Sequence, residues 1–274
     1  MKHYGLALLL GACLSLVGCT SPQQRFINLA AGSDLHVASL GNPALPVLGL
    51  VPARPQADGR MRIYLEGDGH AWATATQPSL DPSPRNLLVP RLALDDPGYV
   101  AYLGRPCQYV RGPGCTTAIW TSARFGSAVI ASLQAALDEL KRRYGVRQFE
   151  LVGYSGGAAI ALLLAERRQD VVAVQTLAGN LDPYAWTALQ QLQPLSESLD
   201  PLAQPEALRA ISQRHLVGHL DNVVPAALAD GYRRKVGGDC VQLVEVDADH
   251  AQGWEQAWQR WRGQPLPCTS GVLR

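Results

Sequence analysis

ELVGYSGGAAIALLLAERR, residues 150–168, changes character at its centre. An apolar run ends in Gly153-Tyr154, a glycine-, alanine- and leucine-rich stretch with helical character follows, and Ser155 sits at the break. Two readings of Ser155 compete. Serine is a favoured helix N-cap, so it can simply close a glycine-rich turn. It can instead be a nucleophile raised on a sharp strand-to-helix turn, the setting that Gly-x-Ser-x-Gly between a strand and a helix describes. Such a turn leaves no room for side chains two residues either side of the serine, and Gly153 and Gly157 stand there. Gly156, Ala158 and Ala159 let the helix lie close to the sheet, with its positive end beneath the hydroxyl. With 26 glycines in 274 residues the string alone does not decide, and the rest of the chain must.

Outward from this stretch, apolar segments alternate with helical ones. MRIYLEG (61–67), GYVAYLG (98–104), QFELVGYS (148–155), VVAVQTLAG (171–179), HLVGHL (215–220) and VQLVEV (241–246) read as strands. SARFGSAVIASLQAALDELKRRYG (122–145) places Val129, Ile130, Leu133, Ala136, Leu137 and Leu140 at helical spacing and ends in basic residues and Gly145. AALADGYRRKV (226–236) and AQGWEQAWQRW (251–261) are further helices. Near the start, RFINLA (25–30) and DLHVAS (34–39) read as a short hairpin turned by Ala31-Gly32-Ser33, with VLGLVPA (47–53) a third strand. Residues 70–98 are an irregular excursion with a short helix at 86–94, and proline-broken helical pieces fill 183–213. This alternation predicts an α/β chain: a mostly parallel sheet of about eight strands with helices on both faces.

Lys and Arg number 24 against 23 Asp and Glu, so no basic field for nucleic acid exists. MKHYGLALLLGACLSLVGC (1–19) has a basic Lys2 and an apolar stretch too short for a bilayer span, which reads as an export signal. Its ending, Leu16-Val17-Gly18-Cys19, resembles the lipobox of bacterial lipoproteins. The resemblance implies cleavage before Cys19, whose thiol would carry diacylglycerol, and Thr20 after it favours the outer membrane. Leu10-Gly11-Ala12-Cys13 is a weaker second candidate because it leaves a very short apolar region. On this reading residues 1–18 are a signal peptide and 19–274 a single domain behind a short tether. Four cysteines remain, Cys107, Cys115, Cys240 and Cys268, an even set in an exported chain. Two disulfides follow, and sequence separation favours Cys107 with Cys115 and Cys240 with Cys268.

A serine hydroxyl needs a histidine to take its proton and a carboxylate to orient that histidine. His3 goes with the signal, His215 and His219 lie in or beside a strand, and His36 is in the N-terminal hairpin. His250, in VEVDADHAQGW just past the last strand, is placed where a loop at the carboxyl edge of a parallel sheet can reach Ser155. Asp221, in HLVGHLDNVVP directly after the preceding strand, is the candidate acid, with Asp182 in AGNLDPYAW the alternative. Asp247 and Asp249 are too close to His250 along one loop.

The order Ser155, Asp221, His250 resembles that of the α/β-hydrolase family, and strand order and spacing match from about residue 25 to 263. The resemblance implies two backbone N–H donors for an oxyanion: Gly156, and one from the loop in IYLEGDGHAW, where Asp68 and Gly69 are the candidates. Glu66 stands in place of the family's usual histidine, with Asp68 inserted between glycines, which leaves the second donor open and suits the two acids to bracing the backbone. A metal site at Glu66, Asp68 and His70 is the rival reading, but the loop has no distant partner for it. The activity implied is that of a serine hydrolase cleaving carboxylic esters, with no metal or organic cofactor. A peptidase, thioesterase or acyltransferase on the same fold is the alternative, as is an inactive hydrolase-fold binding protein of the envelope. Of six tryptophans, Trp72 and Trp186 follow loops at the expected active edge, which leaves 70–98 and 183–213 as candidate pocket walls.

Overall fold

The computed structural model describes residues 20–56 and 59–268; the signal and lipobox expectations, with Cys13 and Cys19, lie outside them. The strands are β1 (Leu35–Leu40), β2 (Val47–Pro52), β3 (Arg60–Leu65), β4 (Val100–Leu103), β5 (Gln148–Tyr154), β6 (Val171–Leu177), β7 (Ser212–Gly218) and β8 (Val241–Val246). They form one eight-stranded sheet in the order β1-β2-β4-β3-β5-β6-β7-β8. β2 runs antiparallel to both β1 and β4, and every pairing from β4 to β8 is parallel. Strands of a parallel sheet are covered on both faces, and β4 and β7 are accordingly buried along their whole length.

The helices are α1 (Pro22–Ala30), α2 (Leu88–Leu94), α3 (Ser127–Tyr144), α4 (Gly156–Ala165), α5 (Pro183–Leu189), α6 (Ala226–Val236) and α7 (Trp254–Trp261). One face of the sheet packs against α3, α4 and α6 through residues such as Val129, Leu133, Leu137, Leu162 and Tyr232. The other packs against α1, α2 and α7 through Phe26, Leu88, Leu92, Trp254 and Trp258. All ten residues of α4 are buried, so its alanine-leucine sequence, apolar all round, has no solvent face to supply. α3 carries Lys141, Arg142 and Arg143 in its last turn, where cations meet the negative helix end, and stops at Gly145 with φ 67°.

The expected N-terminal hairpin is corrected. RFINLA lies in α1, not in a strand: Ser21 accepts from the Gln24 N–H as N-cap and Pro22 opens the first turn. The apolar residues that anchor it, Phe26 and Ala30, are four apart, one helical face, and Phe26 stacks on Tyr109 at 4.6 Å between ring centroids. The hairpin is formed one step later, between β1 and β2. Both expected disulfides are present, Cys107–Cys115 and Cys240–Cys268, the second joining the start of β8 to the segment after α7 across 28 residues.

Parallel strands bring their carboxyl ends to one edge. Glu66 follows β3, Ser155 follows β5, Asp182 follows β6 closely, Asp221 follows β7 and His250 follows β8, so residues 184 positions apart share one rim.

Candidate active site

Ser155 lies between β5 and α4 at φ 50° and ψ −121°, a region L-residues rarely occupy. The conformation is held from three sides: its N–H donates to Leu177 O, and its carbonyl accepts from the N–H groups of Ala158 and Asn180, each at 3.0 Å. A Cβ on Gly153 would fall 2.5 Å from Gly157 O, and one on Gly157 would fall 2.4 Å from Leu65 O. The two motif glycines are therefore imposed by the contact of α4 with β3 and β5. The Ser155 side chain makes no capping bond to α4, so the hydroxyl is not engaged as an N-cap.

Ser155 Oγ instead lies 3.1 Å from His250 Nε2, and His250 Nδ1 lies 2.8 Å from Asp221 Oδ2. A carboxylate only accepts, which assigns the ring proton to Nδ1 and leaves Nε2 to accept from the serine hydroxyl. Asp221 is 4% exposed, and its other oxygen accepts the N–H groups of Val223 and Val224, both at 2.8 Å. The carboxylate thus cannot rotate away from the imidazole without breaking bonds to its own turn. The His250 loop is fixed in turn: His250 O accepts from the Tyr154 hydroxyl at 2.5 Å and from Trp254 Nε1 at 3.2 Å. Asp249 Oδ1 accepts from the N–H groups of Ala251 and Gln252. Tyr154, the residue inside the Gly-x-Ser-x-Gly string without a role from sequence, ties the histidine loop to the strand that carries the serine.

Asp182, the alternative acid, is directed elsewhere. Its Oδ1 caps α5 through the Ala185 N–H at 2.9 Å and its Oδ2 pairs with Lys235 Nζ at 2.6 Å. His215 is buried between Thr176 and Gln213, and burial holds its pKa down to about 3, so it is neutral. His36 Nε2 meets Arg143 Nη2, and His219 Nδ1 meets Val246 O.

The loop after β3 crosses beside the elbow: a Cβ on Gly67 would meet Ser155 Cβ at 3.4 Å. A buried polar network holds it. Glu66 accepts from the Gly67 N–H through Oε1 and from the Tyr102 hydroxyl through Oε2, both at 2.9 Å, while Gln108 Nε2 donates to Gly67 O at 3.0 Å. Burial pushes the Glu66 carboxyl up to about 7 against these bonds and the nearby Arg105. Asp68 accepts from Arg105 Nη1 at 3.0 Å and Arg124 Nη1 at 2.6 Å. Burial opposes its charge, but the two guanidinium groups outweigh that and hold the carboxyl below the usual range. Asp68 Oδ1 sits 2.2 Å from where a Cβ on Gly156 would be, so glycine after the serine is required by the carboxylate packed against it. Among the described residues, no acceptor engages the N–H groups of Gly156, Asp68 or Gly69, while the Gly67 N–H is taken by Glu66. Glu66, Asp68 and His70 do not converge as metal ligands would, since His70 Nε2 meets Arg85 Nη2 at 2.8 Å.

Sequence reasoning missed Arg105, Arg124 and Gln108. Arg105 and Arg124 are 5% and 6% exposed, and nothing local marks a buried arginine, because the residue type is almost always at the surface unless paired.

No family model matches the chain, and no curated protein matches it in sequence. Solved structures do match in three dimensions. The esterase Pf2001 of Pyrococcus furiosus aligns with TM-score 0.61 and 15% identity over 90% of this chain and 93% of its own. An alpha-beta serine hydrolase homologue from Coxiella burnetii aligns with TM-score 0.55 and 16% identity over 82% and 93%. An acylaminoacyl peptidase of Pyrococcus horikoshii gives TM-score 0.55 and 11% identity over 82% of this chain and 39% of its own. At these identities the likeness shows the fold: the chain has the α/β-hydrolase fold, and the structures it resembles are hydrolases.

Proposed function

We propose that the protein is a serine hydrolase that cleaves carboxylic esters through an acyl-enzyme. The observation that carries this reading is the hydrogen-bonded line Ser155 Oγ, His250 Nε2, His250 Nδ1, Asp221 Oδ2 on a serine with positive φ. His250 takes the Ser155 proton as Oγ attacks the ester carbonyl, and Asp221 stabilises the imidazolium that forms. The oxyanion of the tetrahedral intermediate is held by the Gly156 N–H and a second N–H from Asp68 or Gly69, backbone donors that no acceptor among the described residues engages. Collapse breaks the bond to the alcohol oxygen, which takes the proton from His250. Water, deprotonated by the same histidine, then attacks the acyl-serine and releases the acid. No organic cofactor or metal has a step in this sequence.

The wider setting proposed is the cell envelope, with residues 1–18 removed and the chain anchored in the outer membrane by lipid on Cys19. Support comes from the lipobox-like sequence and from two disulfides, which form outside the reducing cytoplasm. Only Thr20 and Ser21 separate Cys19 from α1, so such an anchor would hold the folded body against the membrane rather than on a long tether.

Labelling with a fluorophosphonate tests the catalytic reading. The wild type should gain one covalent adduct, mapped to Ser155 by mass spectrometry, and Ser155→Ala should gain none. A folded wild type that takes up no label, or a label on another residue, overturns it.

A further inference from the structure

A cavity of about 540 Å³ opens at the carboxyl edge, walled by Trp72, Ala75, Arg124, Trp186, Leu192 and Leu195. Its size falls in the range of about 300–1,000 Å³ that holds small organic ligands. Each wall is joined to a loop of the candidate site. Trp72 and Ala75 continue the 66–70 loop, Arg124 is ion-paired to Asp68, and Asp68 packs on Gly156. Trp186 Nε1 donates to Val223 O at 2.8 Å, in the turn whose N–H groups hold Asp221. Most polar groups of the wall are engaged within the protein: the Thr121, Ser122 and Thr187 hydroxyls donate to Thr117 O, Glu197 Oε1 and Tyr184 O, and Thr74 Oγ1 accepts from the Gln77 N–H. The Trp186 indole N–H is taken by Val223, and Arg124 is spent on Asp68 Oδ2 and Thr121 O. What faces an occupant is chiefly two indole rings, two leucines and Pro194 beside an ion-paired arginine, with Gln193 the neutral polar side chain among them, and such a wall recognises an uncharged, mainly apolar group.

The position of the cavity also selects which half of a substrate enters. Leu195 and Phe125, next to Arg124, belong to the core on the α3 side of the sheet. The His250 loop is held by Tyr154 and Trp254, which belong to the core on the α7 side. Ser155 stands between the two. The leaving alcohol must face His250, which protonates it, so the group on the far side of the scissile carbonyl points to the cavity.

We propose that this cavity is the acyl pocket, taking an uncharged apolar acyl group, a medium-length alkyl chain or an aromatic ring, while the alcohol departs on the His250 side. The proposal rests on Ser155 being the nucleophile, and its test separates the two ideas. The kcat/KM of the wild type and of Ala75→Phe, a substitution at the exposed rim that fills the cavity, is measured on two ester series. The first lengthens the acyl chain of p-nitrophenyl esters from acetate to decanoate; the second lengthens the alcohol of acetate esters. In the wild type kcat/KM should rise about fourfold per acyl methylene until the pocket is full. In Ala75→Phe the octanoate-to-acetate ratio should fall by about tenfold or more, with no matching change along the alcohol series. Equal loss on every acyl ester, or a loss that follows alcohol length, overturns the proposal. A second measurement needs no turnover: Ser155→Ala is titrated with octanoate while tryptophan fluorescence is followed, since Trp72 and Trp186 line the cavity. A saturable change that disappears when Ala75→Phe is added supports the pocket even if no fluorophosphonate adduct forms. Covalent labelling at Ser155 without chain-length selectivity or octanoate binding sinks the pocket and leaves the hydrolase reading standing.

Discussion

Glu66→Gln removes one charge from the most buried part of the site, and its effect on stability should depend on pH in a way the geometry fixes. Glu66 is fully enclosed and its carboxyl titrates at about 7 in the folded chain, against 4.5 when exposed, because burial penalises the ionised form. Between those values the folded chain keeps a proton that the unfolded chain has released. Stability therefore falls as pH rises from about 4.5 and levels off above about 7, and the gap amounts to about 3 kcal/mol. Glutamine has an accepting oxygen and a donating NH₂, so it offers the accepting and donating ends of the protonated acid with one N–H more. It can keep the Gly67 N–H bond and donate to Tyr102, whose hydroxyl can rotate to accept. Two other buried groups tilt the same curve. Glu166, also raised to about 7 by burial, adds to the fall, while His215, held down to about 3, costs stability as pH drops below 6.5. Both are present in wild type and variant, so they cancel in the difference between the two. Guanidinium chloride unfolding followed by tryptophan fluorescence, disulfides intact, at pH 4.5 to 8, gives that difference. The glutamine variant should gain on the wild type by about 3 kcal/mol across this interval. A difference that stays constant with pH refutes the argument that Glu66 is a buried, reluctantly ionised brace of the loop.

Two further substitutions probe the chemistry. Asp221→Asn keeps an oxygen for the Val223 and Val224 N–H groups but turns an NH₂ toward His250 Nδ1, which favours the wrong ring tautomer; kcat on a p-nitrophenyl ester should fall by about 10⁴ with an unchanged circular dichroism spectrum. Loss of less than tenfold would remove Asp221 from the proposed line. Gly156→Ala puts a methyl group 2.2 Å from Asp68 Oδ1, so the carboxylate must leave its arginines or α4 must shift; kcat/KM should drop by about 100-fold or more and stability by about 1–3 kcal/mol in a thermal melt. A variant with wild-type activity and melting would show that the loop after β3 does not need its observed position.

What the sequence made legible, and what it hid, follows from the range of the forces involved. The sheet was readable because continuous apolar segments separated by helical spacing repeat six times, and burial on both faces of parallel strands leaves that signature in each segment alone. The placement of Ser155, Asp221 and His250 on one rim was readable for a related reason: strand ends at one edge follow from topology, and these residues stand just past β5, β7 and β8. The N-terminal helix was hidden because RFINLA is too short for its period to be clear, and the residues that mark its start, Ser21 as cap and Pro22 in the first turn, precede that segment. The loop after β3 was located correctly, but its construction was not visible. Asp68 is held by residues 37 and 56 positions away, contributed by the segment after β4 and by the turn before α3. Each arginine taken singly looks like a surface cation, and only the pairing makes its burial affordable in free energy. The same pairing explains a choice that motif reading leaves open. The residue after Ser155, free in the Gly-x-Ser-x-Gly pattern, is glycine in this chain because a charged carboxylate occupies the space a side chain would need. The acidic loop at Glu66 and Asp68 is thus matched by residues at 102, 105, 108, 124 and 156, and these act as one unit. Substituting Arg105 or Arg124 should disturb the loop after β3 more than its own contact implies, because the Asp68 charge left behind would be buried with one partner fewer.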